Sequence, residues 1–547
     1  MKIKFIAGPP GTGKTHDFIK GKYLELYEKY GYENIVVLSH TNVAADQIRK
    51  AIANLKIVKE NSITEKKLED KICTIHHYCN SKLIRKGVFG YEDHINLTKL
   101  NSKFLINKIL PSDDLNKKHE FYKFLNDAHG HGFTHNLKSF FFSRGSKKLY
   151  SSYNFNSILE LKEVYDNYLK ETPMRDFINM IQEFIDKAAV PQIDALIVDE
   201  AQDTNKPQMD AILKMATHIK DENFYMVGDP DQTIFEFAGS DPDFFHRLSK
   251  DAEELKEGKR CGETINTICK TIIKPIWDYY EYQRTWAPAV YTEEHLKQNK
   301  IEKGFKVGDV IKGKHFYLPS LNKTSSALDY LLNKIKNTNQ TFLFTYRQTP
   351  GDIRVKDFFK DNGIEFGHIR KDAYVSKKEL KCHYFWPKFI KGEPMNLTQI
   401  KAFWDYMGSL AIVRGKSKSM EPFKDWINED YTVDYLIKNN YLNIDVKKYD
   451  RFDQVRTKTD EERLIYINKV IMKHPNFDEE IRVKYGNIHE IKGLTFDNVI
   501  VDDSLYQDEK FFVQLRLKYT AYSRGIFDCW TLASTTKKNL GYRNGSI

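Results

Sequence analysis

Short, wholly apolar runs recur along the chain, and most end in small or acidic residues. KIKFIA (2–7), NIVVLSH (34–40), DALIVDE (194–200) and NFYMVGD (223–229) are of this kind. Unbroken apolar runs of this length predict strands buried on both faces. Between them the apolar positions fall to helical spacing. The segment after Lys14 carries Phe18, Tyr23, Leu24 and Leu26, and a second helix is expected from about Thr41. Strands alternating with helices predict an α/β fold with a parallel, doubly wound sheet. QTFLFTY (340–346), NVIVDD (498–503) and DCWTLAS (528–534) repeat the style and predict a second core.

Two stretches break the alternation. The expected organisation is a first core from residues 1–83 and 188–250, interrupted by a basic, mostly helical insertion at 84–187. A second core follows from 251–370 and 481–547, interrupted by a polar, aromatic-rich, helical block at 371–480. A length of 547 residues suits about three or four domains.

Composition narrows the class. No run of 18 apolar residues is present, so no membrane helix is expected, and the N-terminus lacks a signal-peptide core. A cytoplasmic protein with no membrane partner is the expectation. The six cysteines (73, 79, 261, 269, 382, 529) include no CxxC pair, which argues against a zinc ribbon or a disulfide framework. The net charge of +10 permits a polyanionic partner without demonstrating one. Residues 84–150 hold 12 Lys/Arg against 6 Asp/Glu, interleaved with Phe121, Tyr122, Phe124, Phe140, Phe141 and Phe142. This reads either as a solvated face over a small aromatic core or as a surface for a nucleic-acid backbone. His129, His131 and His135 lie in a glycine-bearing segment without a nearby cysteine, and read as solvated or DNA-facing rather than as zinc ligands.

The chemistry is concentrated at the strand ends. Gly8, Pro9, Pro10, Gly11, Thr12, Gly13, Lys14 and Thr15 form GPPGTGKT between a strand and a helix, the context a phosphate loop needs. Its backbone N–H groups and helix N-terminus suit phosphate oxygens, and Lys14 suits the outer phosphates. Thr15 and Asp199 are the candidate Mg²⁺ ligands. Glu200 is placed to orient or deprotonate an attacking water. Gln232, in VGDPDQTIF (227–235), is placed to touch the γ-phosphate or that water.

In this order the motifs resemble the superfamily 1 DNA helicases, specifically the UvrD/Rep-like group (1A). SHTNVAADQI (39–48), TIHH (74–77), LKEGKR (255–260), IHEIKGLTF (488–496) and YTAYSRG (519–525) extend the likeness across both cores. The resemblance implies two RecA-like P-loop NTPase cores with parallel sheets, using ATP and Mg²⁺. It makes Arg260 and Arg524, both assigned to the second core, the arginine fingers, and places Lys492 and Gly493 at the nucleotide. It places His40, Thr41, Asn42, Thr74, His76, Phe235, Phe237 and His489 at DNA, with Phe237 as a base-stacking ring. The Lys-Gly-Leu-Thr-Phe run favours 3′→5′ polarity. The implied partners are single-stranded DNA and duplex junctions, with replication or recombination proteins. A translocase that strips proteins without unwinding, and an ATP-switched DNA-binding component of a replication or recombination assembly, are the alternative readings.

The chain departs from the family pattern. Its phosphate loop begins at residue 8, with no upstream Gln motif. Lys259 stands where a base-stacking Tyr is usual, Thr495 where a Glu would approach the sugar, and His40 where a Phe is usual. Ala238 replaces the Arg that follows the stacking aromatic. Three of these touch the base or ribose end, so relaxed base selectivity is expected. The second insertion is shorter than usual, and Tyr542, near the C-terminus, reads as a frayed tail.

Overall fold

The computed structural model describes residues 3–85, 115–133, 136–143, 154–171, 176–189, 191–219, 223–347, 349–371, 373–413, 430–456, 460–473, 477, 480–503 and 510–533. The chain forms two compact units. The first comprises residues 1–290, 308–312 and 509–523; the second comprises 291–307, 313–508 and 524–547.

The first unit is built on a six-stranded parallel sheet. Its strands are β1 (Lys4–Ala7), β2 (Ile35–Ser39), β3 (Ile72–Thr74), β4 (Ala195–Val198), β5 (Phe224–Gly228) and β6 (Glu253–Glu254), in the order β3-β2-β4-β5-β1-β6. The apolar runs serve two cores because side chains alternate across a strand. Phe5, Val36, Leu38, Leu196, Val198, Phe224 and Met226 face one core. Ile6, Ile35, Val37, Ala195, Ile197, Tyr225 and Val227 face the other. Helices Lys20–Tyr30 and Asn42–Ala53 cover the second face, and helices Ile75–Arg85 and Lys206–Met215 cover the first.

The first insertion is helical where described: Leu115–Gly130, Leu137–Ser143 and Phe155–Glu171. Phe121, Phe124, Phe140 and Phe141 are buried together with Ile158, Tyr165 and Leu169, so these aromatics form a core; Phe142 alone of that run is exposed. The side chain of Tyr122 is not among those described. Helix Phe177–Lys187, read as insertion, packs Met180, Ile181 and Phe184 against the sheet.

The histidine motif is corrected. His129 is buried, and His131 bonds through its two ring nitrogens to the carbonyls of Asp127 (2.6 Å) and Glu236 (3.1 Å). His129 is thus not a solvated side chain, and His131 is partly buried with both ring nitrogens bonded. His135 and Tyr542 lie outside the described residues.

Residues 251–290, expected with the second sheet, pack in the first unit. There helix Glu263–Tyr280 lies against helix Phe511–Tyr522.

The second unit holds another six-stranded parallel sheet, of β7 (His315–Leu318), β8 (Phe342–Tyr346), β9 (Phe366–His368), β12 (Val483–Asn487), β13 (Asn498–Asp502) and β14 (Cys529–Leu532). Its order is β7-β14-β13-β8-β12-β9. A two-stranded antiparallel ribbon, β10 (Met395–Asn396) with β11 (Asp430–Tyr431), sits in the block between β9 and β12. Two parallel α/β sheets are the architecture of two RecA-like cores. No described helix is long and apolar enough to cross a membrane. All six cysteines are buried free thiols.

Candidate nucleotide and nucleic-acid site

In the first unit the C-terminal ends of β1, β4 and β5 converge. Gly8 N–H donates to the Gly228 carbonyl at 2.9 Å, which joins the phosphate loop to the end of β5. Gly11 and Gly13 take positive φ, 70° and 82°, which favours glycine. The amides of Asp17 and Phe18 both bond to the Gly13 carbonyl, which widens the first helical turn. Lys14 is buried, and its ammonium donates to the Gly8 carbonyl at 2.5 Å. Burial pulls its pKa down, and the carboxylates of Glu200, Asp229 and Asp199 oppose that pull.

Thr15 Oγ1 donates to the Asp199 carboxylate at 3.2 and 3.4 Å. These are hard oxygen donors from two elements, the type that suits Mg²⁺. Burial, and then the charge of Glu200, raises the pKa of Asp199. A bound cation would favour its ionised form.

Glu200 sits in the left-handed region, with φ 49°. Gln202 Nε2 donates to its carboxylate at 2.5 Å, and Gln202 Oε1 accepts the Asp229 amide at 3.1 Å. One carboxamide thus ties the end of β4 to the end of β5. Gln232 is buried and donates through Nε2 to Asp229 Oδ2 at 2.8 Å. Arg260 comes to the same loop. The Lys259 amide donates to the Gly11 carbonyl at 2.7 Å, Arg260 packs on Gly11, and Arg260 Nη1 donates to the Ser523 carbonyl at 3.3 Å. Burial lowers the pKa of Arg260. The structure therefore gathers Gly8–Thr15, Asp199, Glu200, Gln232 and Arg260 around one loop.

A ledge of rings lies beyond the ends of β2, β3 and β5. His40 and Phe235 have ring centroids 5.9 Å apart, Phe235 and Phe237 6.1 Å, and His76 and Phe177 5.0 Å. Phe237 is 50% exposed and Phe177 48%. The Thr41 hydroxyl accepts the Ala44 amide and the Thr74 hydroxyl accepts the His77 amide, both at 3.2 Å. Each threonine caps a helix whose N-terminus follows a strand, an arrangement that favours anionic ligands. Asn42 is exposed beside Thr41.

The model of the UvrD/REP helicase N-terminal domain matches residues 2–253. Residues 2–253 are thus similar to the N-terminal domain of the UvrD/Rep-like helicases. Among the chain's relatives, ATP-dependent DNA helicase Rep of Buchnera aphidicola subsp. Acyrthosiphon pisum is 26% identical over 462 residues, 80% of this chain and 65% of the relative. A probable DNA helicase II homolog of Mycoplasma pneumoniae is 22% identical over 73% of the chain and 60% of the relative. ATP-dependent DNA helicase PcrA of Staphylococcus aureus is 25% identical over 48% and 37%. The aligned region thus spans less than two thirds of each of these relatives.

The second unit carries the remaining predicted residues. Arg524 is buried, and its carbonyl accepts the Phe496 amide at 2.8 Å, joining IHEIKGLTF to YTAYSRG. Burial pushes His489 down to about 3. Gly493 takes φ 86°, with open space around it and Lys492 half-buried beside it.

Sequence reasoning missed several residues. Asp229 stands inside VGDPDQTIF and Gln202 just beyond DALIVDE, but nothing in either run showed that they bond. Phe177 carried no motif, and only folding brings it to His76. Arg284, from the segment after helix Glu263–Tyr280, and Tyr519, from helix Phe511–Tyr522, reach Asp229, with Arg284 Nη1 on Oδ1 at 3.0 Å and Tyr519 OH on Oδ2 at 3.1 Å. Lys259 Nζ pairs with Asp17 at 2.8 Å beside the loop.

Proposed function

We propose that the chain is an ATP-dependent 3′→5′ DNA helicase, or translocase on single strands, that hydrolyses ATP at the GPPGTGKT loop. The observation that carries this reading is the Thr15–Asp199 pair, set beside Lys14, Glu200 and Arg260 on a single phosphate loop. The loop would hold the phosphates, and Thr15 with Asp199 would hold Mg²⁺. Bound there, the cation would neutralise phosphate charge. Glu200, held by Gln202, orients water or accepts its proton, and Gln232 lies within reach of the same region. Arg260 and Arg524 are the residues proposed to offset charge on the transferring phosphoryl group. The ledge offers ring faces, which any base can stack on. His489, with Thr41, Asn42, Thr74, His76 and His40, is proposed to meet the strand. Polarity rests on the family likeness.

Lys259 and Asp17 place an ion pair, and no ring face, next to Gly11. Discrimination between bases needs shaped or hydrogen-bonded contacts, so we propose weak base selectivity. Turnover of ATP, GTP, CTP and UTP within about tenfold of one another is expected on this basis; strict ATP dependence would overturn it.

The central test is ATP turnover with single-stranded DNA, duplex DNA and RNA, paired with unwinding of 3′- and 5′-tailed duplexes. Lys14→Ala and Glu200→Gln should each lower DNA-stimulated turnover by about 100-fold or more. Normal turnover in both variants would refute the site. Protein displacement without duplex opening would select the translocase reading.

A further inference from the structure

One helix touches both halves of the first unit's machinery. Phe511–Tyr522 carries Tyr519, whose hydroxyl donates to Asp229 Oδ2, the same oxygen that receives Gln232 Nε2. Burial raises the Tyr519 pKa well above its ordinary value, so the hydroxyl keeps its proton. Arg284 Nη1 fixes the other oxygen, Oδ1, and Arg284 Nη2 donates to Ser249 Oγ at 2.7 Å. Asp229 is therefore held from both sides, and its orientation sets that of Gln232.

Three residues earlier, on the same helix face, Arg516 Nη2 donates to Glu236 Oε2 at 2.8 Å. Glu236 lies between Phe235 and Phe237, the two ledge rings. After its last turn, the Ser523 carbonyl accepts Arg260 Nη1. A cavity of about 940 Å³, bordered by Met209, Phe244, Phe245, Phe512 and Arg516, adjoins this helix.

We propose that helix Phe511–Tyr522 is the coupling rod between nucleotide and DNA. In this role Tyr519 is a positioning residue for Gln232, and Arg516 is a positioning residue for the Phe235–Phe237 ledge. The proposal deepens the ATPase reading and rests on it. It predicts that hydrolysis and DNA engagement are linked through two side chains that touch neither ligand.

The test uses the full chain, with ATP turnover measured with and without a saturating thymidine oligonucleotide. Tyr519→Phe removes only a hydroxyl. It should lower kcat about fivefold with KM for ATP nearly unchanged, and it should add no further loss in a Gln232→Ala background. Arg516→Gln should keep DNA-free turnover within about twofold while lowering DNA stimulation about tenfold, and Arg516→Lys should recover part of that loss. Circular dichroism and thermal melts identify any variant that fails to fold, and the conservative Tyr519→Phe and Arg516→Lys changes still decide the matter. Losses that multiply in the Tyr519→Phe/Gln232→Ala double variant, or full stimulation in Arg516→Gln, would overturn the proposal while leaving the ATPase reading intact. Absence of turnover in the unmodified chain would overturn both.

Discussion

Glu200 and Gly11 show how tightly single residues are specified around the phosphate loop. Glu200 holds a left-handed backbone, φ 49°, at a non-glycine position. Such a conformation is worth about 1–3 kcal/mol of strain and persists only when its neighbours fix it. Here the Gln202 bond supplies that restraint. Gly11 is constrained differently. A Cβ there would lie 2.2 Å from Arg260 Cβ, and its φ of 70° is unfavourable for other residues. Gly11→Ala should therefore push the Arg260 segment off the loop and lower ATP turnover by about tenfold or more, with about 1–3 kcal/mol lost in urea unfolding. Unchanged turnover would show that the contact between Arg260 and the loop is incidental. None of these distances was legible in the sequence, although the residue types were. GPPGTGKT displays its glycines openly, whereas the packing of Arg260 on Gly11 joins positions far apart in the chain.

At the scale of elements, two structures carry separate predictions. The ledge is assembled from three strand ends, and Phe237 is its half-exposed ring. Loss of a stacking ring is worth about 1–3 kcal/mol per base. Phe237→Ala should weaken single-strand affinity by about tenfold or more while sparing DNA-free hydrolysis; unchanged affinity in a fluorescence-anisotropy titration would remove Phe237 from the ledge. Helix Lys377–Ile390 makes a different connection within the second unit. Leu380 packs in the core of the parallel sheet, while Cys382, Trp386 and Phe389 pack in the core of the block between β9 and β12. Trp386 is fully buried, and its Nε1 donates to the Tyr449 carbonyl at 2.9 Å. Trp386→Ala should cost about 3–5 kcal/mol in chemical denaturation. A loss below about 1 kcal/mol would mean that this block collapses around the cavity.

At the scale of the whole molecule, buried histidines set an acid limit. An unperturbed histidine titrates near 6.5. Burial, aided by the charges of Arg284 and Arg516, pushes His246 down to about 2. Burial pushes His383 down to about 4. As pH falls the unfolded chain therefore takes up protons before the folded chain does. The stability linked to these side chains is present above about pH 6.5 and is lost as pH falls, down to about 4 for His383 and about 2 for His246. The thermal midpoint should drop between about pH 7 and pH 5, and His383→Gln should flatten that slope. An equal slope in the variant would exclude His383 as a contributor.

The sequence by itself determined the two parallel sheets, the phosphate loop, the acids at the end of β4 and the likeness to the UvrD/Rep group, because strand burial and loop chemistry are written in neighbouring residues. It did not determine which helices serve which unit. Residues 251–290 and 509–523 join the first unit because their apolar faces find partners there, and no local period records that choice. Nor could periodicity show that the insertion's phenylalanines are core, or that His129 and His131 turn inward. Only the tertiary structure decided that Asp229 would be held by Arg284, 55 residues away, and by Tyr519, 290 residues away. The physical reason is that a buried carboxylate needs donors from whatever elements surround it, and those elements meet only when the chain folds.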